Sequence, residues 1–191
     1  QVIALIGTGL STIALSLLAY DLAGDAAGAV AGIALALKMV AYVVIAPLAG
    51  AAAGLVPRRA MLVGLDLLRA AMVLSLPFVT ELWQVYALVF LMQSASAAFT
   101  PTFQATIPDL LPDEADYTRA LSLSRLAYDL EALVSPTLAA TALLFVSFDA
   151  LFAANGLGFL LSAALVLGTA LPAPARAEAP EPYLSRVSFG L

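Results

Sequence analysis

The chain has no cysteine, no histidine and little charge of either sign. Without cysteine, disulfides and thiolate metal sites are excluded. Without histidine, the usual metal ligand and the usual proton carrier near neutral pH are gone. Lys and Arg together number 8 against 13 Asp and Glu, a net charge of −5. So few cations argue against nucleic-acid binding. The sequence also holds no nucleophile elbow, nucleotide loop or metal-ligand cluster, so no catalytic residue, metal or cofactor is expected. Charged residues make up 11% of the chain, whereas soluble domains run near roughly 25%. What fills the sequence is apolar: 63% of the 191 residues are hydrophobic and mean hydropathy is +1.02. A soluble chain of this size lacks the interior volume to bury so much apolar side chain, so lipid is its natural solvent.

Six stretches are long enough to cross a hydrocarbon core, which takes about 20 apolar residues. They cover residues 2–20, 28–53, 60–79, 82–107, 118–146 and 150–171. Short breaks between them make consecutive spans antiparallel neighbours. The expected fold is therefore all-α: a polytopic membrane protein with six transmembrane helices over residues 1–171. A β-barrel fits poorly, because its strands are about 10 residues long and alternate in polarity. Residues 172–191 carry the run PAPARAEAPEPY and read as an extended linker. Apolar sequence starts at once after Gln1 with no basic leader, and the expectation is a fragment of a longer protein.

Lys and Arg in short loops set orientation. Arg58, Arg59, Arg119, Arg176 and Arg186 fall on one side, while the opposite loops hold only Asp21, Asp25, Glu81 and Asp149. Both ends, and the turns at 54–59 and 108–117, are therefore expected to be cytoplasmic. Glycines 24, 28 and 32, and again 50 and 54, recur at spacing four, which reads as close helix packing.

Polar residues form stripes on three spans. Thr8, Ser11, Thr12 and Ser16 share a face of the first; Gln93, Ser96, Thr100 and Gln104 of the fourth; Thr118, Ser122, Arg125 and Asp129 of the fifth. The sixth has no charge between residues 150 and 171, so spans one, four and five are expected to face a polar cavity and the sixth to face lipid. Six charges lie inside spans: Lys38, Arg69 and Arg125 against Asp66, Asp129 and Glu131. An unpaired charge at a helix centre costs about 2.5–3.5 kcal/mol on insertion scales. Asp66 can meet Arg69 at i,i+3, and Arg125 can meet Asp129 at i,i+4. Lys38 and Glu131 remain. Glu131 lies about 200° around its helix from Asp129, so the two cannot point into one cavity. Lys38 is expected to pair across the bundle with Asp129 or Glu131, and a carboxylate held there can exchange its lysine for a proton.

The turn Gly50-Ala51-Ala52-Ala53-Gly54-Leu55-Val56-Pro57-Arg58-Arg59 resembles the basic turn between spans two and three of the major facilitator superfamily. Gly50, Arg58 and Arg59 match that pattern. Its acid is replaced by Gly54, its first basic residue by Leu55 and its second glycine by Pro57. The run Phe99-Thr100-Pro101, Gln104-Ala105, Ile107-Pro108-Asp109-Leu110, Ala120-Leu121 and Ser135-Pro136 is similar to the siderophore- and drug-exporter branch, that of the enterobactin exporter, with Ser135 where the branch has glycine. The resemblance implies the N-terminal half of a twelve-helix transporter working by alternating access, with a second six-helix half as partner. It also implies cavity helices that include one, four and five, and many members of the branch are proton-driven.

The reading is thus half of a proton-coupled exporter of small amphipathic organic molecules in the cytoplasmic membrane of a bacterium. Its partners are the lipid bilayer, a small-molecule substrate, the proton and the second half. Asp129 and Glu131 are the proton-carrying candidates; Lys38 and Arg125 tune them or bind anionic groups; Thr8, Ser11, Gln93 and Gln104 line the cavity. Gly50, Arg58 and Arg59 form the cytoplasmic gating turn, and Asp66 with Arg69 an intramembrane pair. The rivals are a lipid or lysolipid flippase or importer of the same fold, and a non-transporting six-span scaffold.

Overall fold

Helices begin and end here where backbone chemistry, more than hydropathy, allows. The computed structural model describes residues 2–52, 56–111 and 113–169. Gly54 and Leu55 of the basic turn and the expected linker 172–191 lie outside the described residues. The helices are α1 (Val2–Ala23), α2 (Ala27–Ala52), α3 (Arg58–Ser75), α4 (Leu82–Leu110), α5 (Glu114–Ala142) and α6 (Phe148–Gly168), and there is no strand among the described residues. A short 3₁₀ turn, Gly24–Ala26, separates α1 from α2. Gly24 adopts φ +54°, a left-handed conformation that only glycine enters without cost.

Several boundaries differ from the hydropathy reading, most clearly at the junction of the fourth and fifth spans. The fourth span, expected to stop at 107, continues through Pro108 to Leu110. The fifth, expected from 118, starts at Glu114 because the Asp113 carboxylate accepts from the amides of Ala115 and Asp116 at 2.9 and 3.2 Å. That cap satisfies two donors that the first turn would otherwise leave open. At the start of α4, Gln84 Oε1 folds back to accept from the amides of Thr80 and Glu81. Pro47, Pro101, Pro108 and Pro136 all sit inside helices, which membrane helices tolerate when neighbours re-satisfy the freed carbonyls.

The packing pattern is its own image. α2 lies on α4 as α5 lies on α1; α1 lies on α6 as α3 lies on α4; and α3 meets α6. Exchanging the first three helices for the last three leaves this pattern unchanged, the signature of an internal repeat. The core is built from Ala14, Val73, Val85, Val89, Phe152 and Phe159. Large apolar side chains such as Val43, Leu133, Leu157 and Leu165 stand exposed on the outside. Four stretches are long and apolar enough to cross a membrane: Ile6–Ala51, which joins α1 and α2, then Arg58–Phe78, Leu82–Pro108 and Phe148–Gly168.

Two expectations about packing are corrected. The sixth span does not simply face lipid. One side of α6 exposes Leu157, Leu161 and Leu165, but the other buries Phe152, Asn155, Phe159 and Ser162 against α1 and α3. The glycines at spacing four are not the close-packing ones either. A methyl group at Gly28, Gly32 or Gly50 would meet nothing within 4 Å among the described residues. Close approach falls instead at Gly7 and Gly9 of α1 and Gly156 of α6, where a methyl group would run into α6, α5 and α3 respectively.

Candidate functional site: a cavity walled by α1, α2 and α4

The stripe on α1 opens onto a cavity of ≈ 170 Å³ between α1, α2 and α4. Thr8, Ser11, Thr12 and Ser16 form its α1 wall, Gln93 faces it from α4, and Lys38 enters from α2. The remaining wall is apolar, from Leu15, Val30, Leu35, Val89 and Met92 among others. α2 is thus a wall of this cavity, which the sequence stripes did not indicate, and α5 is not. Gln104, expected to line the cavity, lies exposed near the end of α4 and does not reach it.

The hydroxyls of α1 divide into two kinds. Thr12 donates to the Thr8 carbonyl at 3.1 Å and Ser16 to the Thr12 carbonyl at 3.0 Å, so each is spent on its own helix. Ser11 instead accepts from Asn155 Nδ2 of α6 at 2.7 Å. Both residues are buried. Their clasp is possible because Gly7 has no side chain: a Cβ there would stand 2.6 Å from Asn155 Oδ1. Asn155 was missed in the sequence, although a single amide inside an otherwise apolar span was the available signal.

Each of the six charges expected inside spans now has a place. Asp66 and Arg69 form a buried ion pair on α3. The Arg69 guanidinium sits between two rings, 4.1 Å from the centre of Phe99 on α4 and 4.5 Å from that of Phe159 on α6. Cation–π contact on both sides compensates part of the lost hydration. This pair lies away from the cavity wall. On α5, Arg125 and Asp129 pair at 3.6 Å with both side chains exposed. Glu131 turns the other way. Its carboxylate abuts Gly9 of α1 beside Ser135, where any side chain on Gly9 would collide with it. Lys38 is the opposite charge acting on Glu131. No ion pair within 4 Å joins them among the described residues, and Glu131 is not part of the cavity wall.

At the start of α3 the turn residues separate. Arg58 donates to the Ala105 carbonyl of α4 at 2.6 Å, tying the start of α3 to the far end of α4. Arg59 is exposed and lines an outer groove with Val63, Gly64 and Leu167. Gly50 is exposed within α2. Among the described residues no group of three or more His, Cys, Asp or Glu side chains converges to hold a metal. What the arrangement offers is a partly polar chamber with one charged wall residue among the described residues, a setting suited to holding a small molecule.

The sequence profile of the Major Facilitator Superfamily matches residues 1–188. An uncharacterized MFS-type transporter, YfiS of Bacillus subtilis (strain 168), is 29% identical over 109 residues, which is 57% of this chain. The match spans 26% of the length of that relative.

Proposed function

The chain belongs to the Major Facilitator Superfamily, and from that premise we propose that it is half of a proton-coupled secondary transporter exporting small amphipathic organic molecules. The cavity walled by α1, α2 and α4 is the substrate's path, opened alternately to either side as a second six-helix half rocks against this one. All six helices cross the membrane in this reading, α5 with its charges turned toward that second half, and both ends lie in the bacterial cytoplasm. The outward direction rests on the likeness of the Phe99–Leu110 run to the exporter branch.

The observation that carries the proposal is the cavity itself, walled by the α1 hydroxyls, Gln93 and the charge of Lys38, with Glu131 seated against Gly9 of the same α1. A carboxylate in lipid is costly unless it is compensated or protonated. A Glu131 that alternates between its lysine and a proton couples cavity occupancy to proton binding. Asp129, already paired with Arg125 on the exposed side of α5, is the weaker carrier. Arg58, through Ala105, holds the α3–α4 corner that must stay rigid while the halves move.

The test is transport by the full-length protein in everted membrane vesicles, with a panel of radiolabelled amphipathic compounds. The expected result is movement of at least one compound at a rate that responds to an imposed proton gradient, a response lost in Glu131→Gln and kept in Asp129→Asn. Membrane insertion with no gradient-responsive movement would favour the scaffold reading instead.

A further inference from the structure

Lys38 is the one charged side chain on the cavity wall among the described residues, and the only lysine of the chain. Ser11, on the α1 wall, adds a second donor to the same cavity. Its oxygen already accepts from Asn155 Nδ2, and no carbonyl one turn back takes its proton as happens for Thr12 and Ser16. Accepting from Asn155 leaves the Ser11 hydroxyl its own proton to donate in the cavity that it lines. An ammonium from α2 and a hydroxyl from α1 in one cavity call for an acceptor-rich, negative group. The apolar lining around them, Leu15, Val30, Val89 and Met92, calls for an apolar body.

Resting on the transporter reading above, we infer that this cavity takes an amphipathic organic acid. Its carboxylate or sulfonate is held by Lys38 Nζ and the Ser11 hydroxyl, and its hydrocarbon part lies against the aliphatic wall. Glu131 is the internal stand-in for that acid. In this proposal its carboxylate balances Lys38 while the cavity is empty; with the acid bound, two anions share one lysine, and Glu131 becomes a competitor. The absence of a closed bridge between Lys38 and Glu131 leaves the ammonium reachable from the cavity. Charge-assisted hydrogen bonds of this type are the strong ones, so the lysine decides which head group is accepted.

The competition has a sign that a merely structural ion pair does not. Removing the charge of Glu131 strengthens binding of an acid, whereas loss of a structural partner weakens binding of everything. The experiment is equilibrium binding of radiolabelled octanoate to the full-length protein in nanodiscs, with protein-free nanodiscs as the blank. Octanesulfonate, octanol and octylammonium serve as competitors. Octanoate and octanesulfonate are expected to compete with each other and octylammonium to fail. Lys38→Gln is expected to weaken octanoate roughly tenfold or more, as loss of a charged hydrogen bond does. Lys38→Arg retains most of the affinity, which guards against a fold defect. Glu131→Gln binds octanoate several-fold tighter.

Octylammonium or octanol competing as well as the sulfonate would overturn the inference. So would Lys38→Gln binding as wild type, Glu131→Gln binding more weakly, or no octanoate binding at all. In each of these cases the gradient-responsive movement described above still stands or falls on its own measurement, so failure of the acid site is distinguishable from failure of the transporter reading.

Discussion

Asn155 on α6 donates to Ser11 on α1 at 2.7 Å, and the approach is made possible by the bare backbone of Gly7. The bond joins a helix of the cavity wall to a helix that lies behind it. Replacing Asn155 with Ala removes the donor and frees Ser11 to turn back onto its own helix. Interhelical hydrogen bonds in membranes are worth about 0.6 kcal/mol on average and up to about 1.7. Asn155→Ala is therefore expected to lower the thermal midpoint by a few degrees at most, measured in detergent, while weakening octanoate binding in parallel with Ser11→Ala. Equal octanoate affinity in both variants and wild type would disconnect Asn155 from the cavity.

Gly9 and Gly28 make opposite predictions. A methyl group on Gly9 runs into the Glu131 carboxylate and Ser135, so Gly9→Ala must push α5 off α1. Overpacking of this kind costs typically about 1–3 kcal/mol. Gly28→Ala meets open space and gains helix propensity. The expected thermal midpoint falls for the first and stays or rises for the second. A fall for Gly28→Ala equal to that for Gly9→Ala would mean that the spacing-four glycines are packing residues after all.

The buried Asp66–Arg69 pair is expected to be unforgiving of single changes. Asp66→Ala leaves the buried Arg69 guanidinium, set between the Phe99 and Phe159 rings, without its carboxylate. Breaking a buried pair by removing one partner costs about 3–5 kcal/mol. The double variant Asp66→Leu with Arg69→Met removes both charges and is expected to recover much of that loss, read as yield of folded protein and thermal midpoint. A double variant worse than the single one would show that the ions are needed for more than each other.

Much of this architecture was legible in the sequence because the governing physics is local. The apolar runs, the i,i+3 placement of Asp66 and Arg69, and the opposed faces of Asp129 and Glu131 all follow from helix geometry. What was not legible depends on neighbours. Gly28 and Gly32 have the spacing of packing glycines but no neighbour, while Gly7 and Gly9 have neighbours without the spacing. Apart from Lys38, α2 contributes to the cavity through small and aliphatic residues, and one lysine makes no stripe for a stripe search to find. α6 was misjudged because the absence of charge was read as contact with lipid, whereas Asn155 and Ser162 turn inward among phenylalanines. The start of α5 was misplaced because a four-atom side chain, Asp113, caps it.

The most direct test of the central claim, that this cavity is an aqueous path opened to both sides in turn, uses the absence of cysteine in this chain. Thr12 lines the cavity, and Leu157 stands on the outer face of α6. Thr12→Cys and Leu157→Cys are placed singly in the full-length protein, with any cysteines elsewhere replaced, and treated with a membrane-impermeant maleimide in right-side-out and in everted vesicles. Labelling of Thr12→Cys from both sides, with Leu157→Cys unreactive from either, is the predicted result. Labelling of Thr12→Cys from one side alone, or from neither, would contradict alternating access through this cavity.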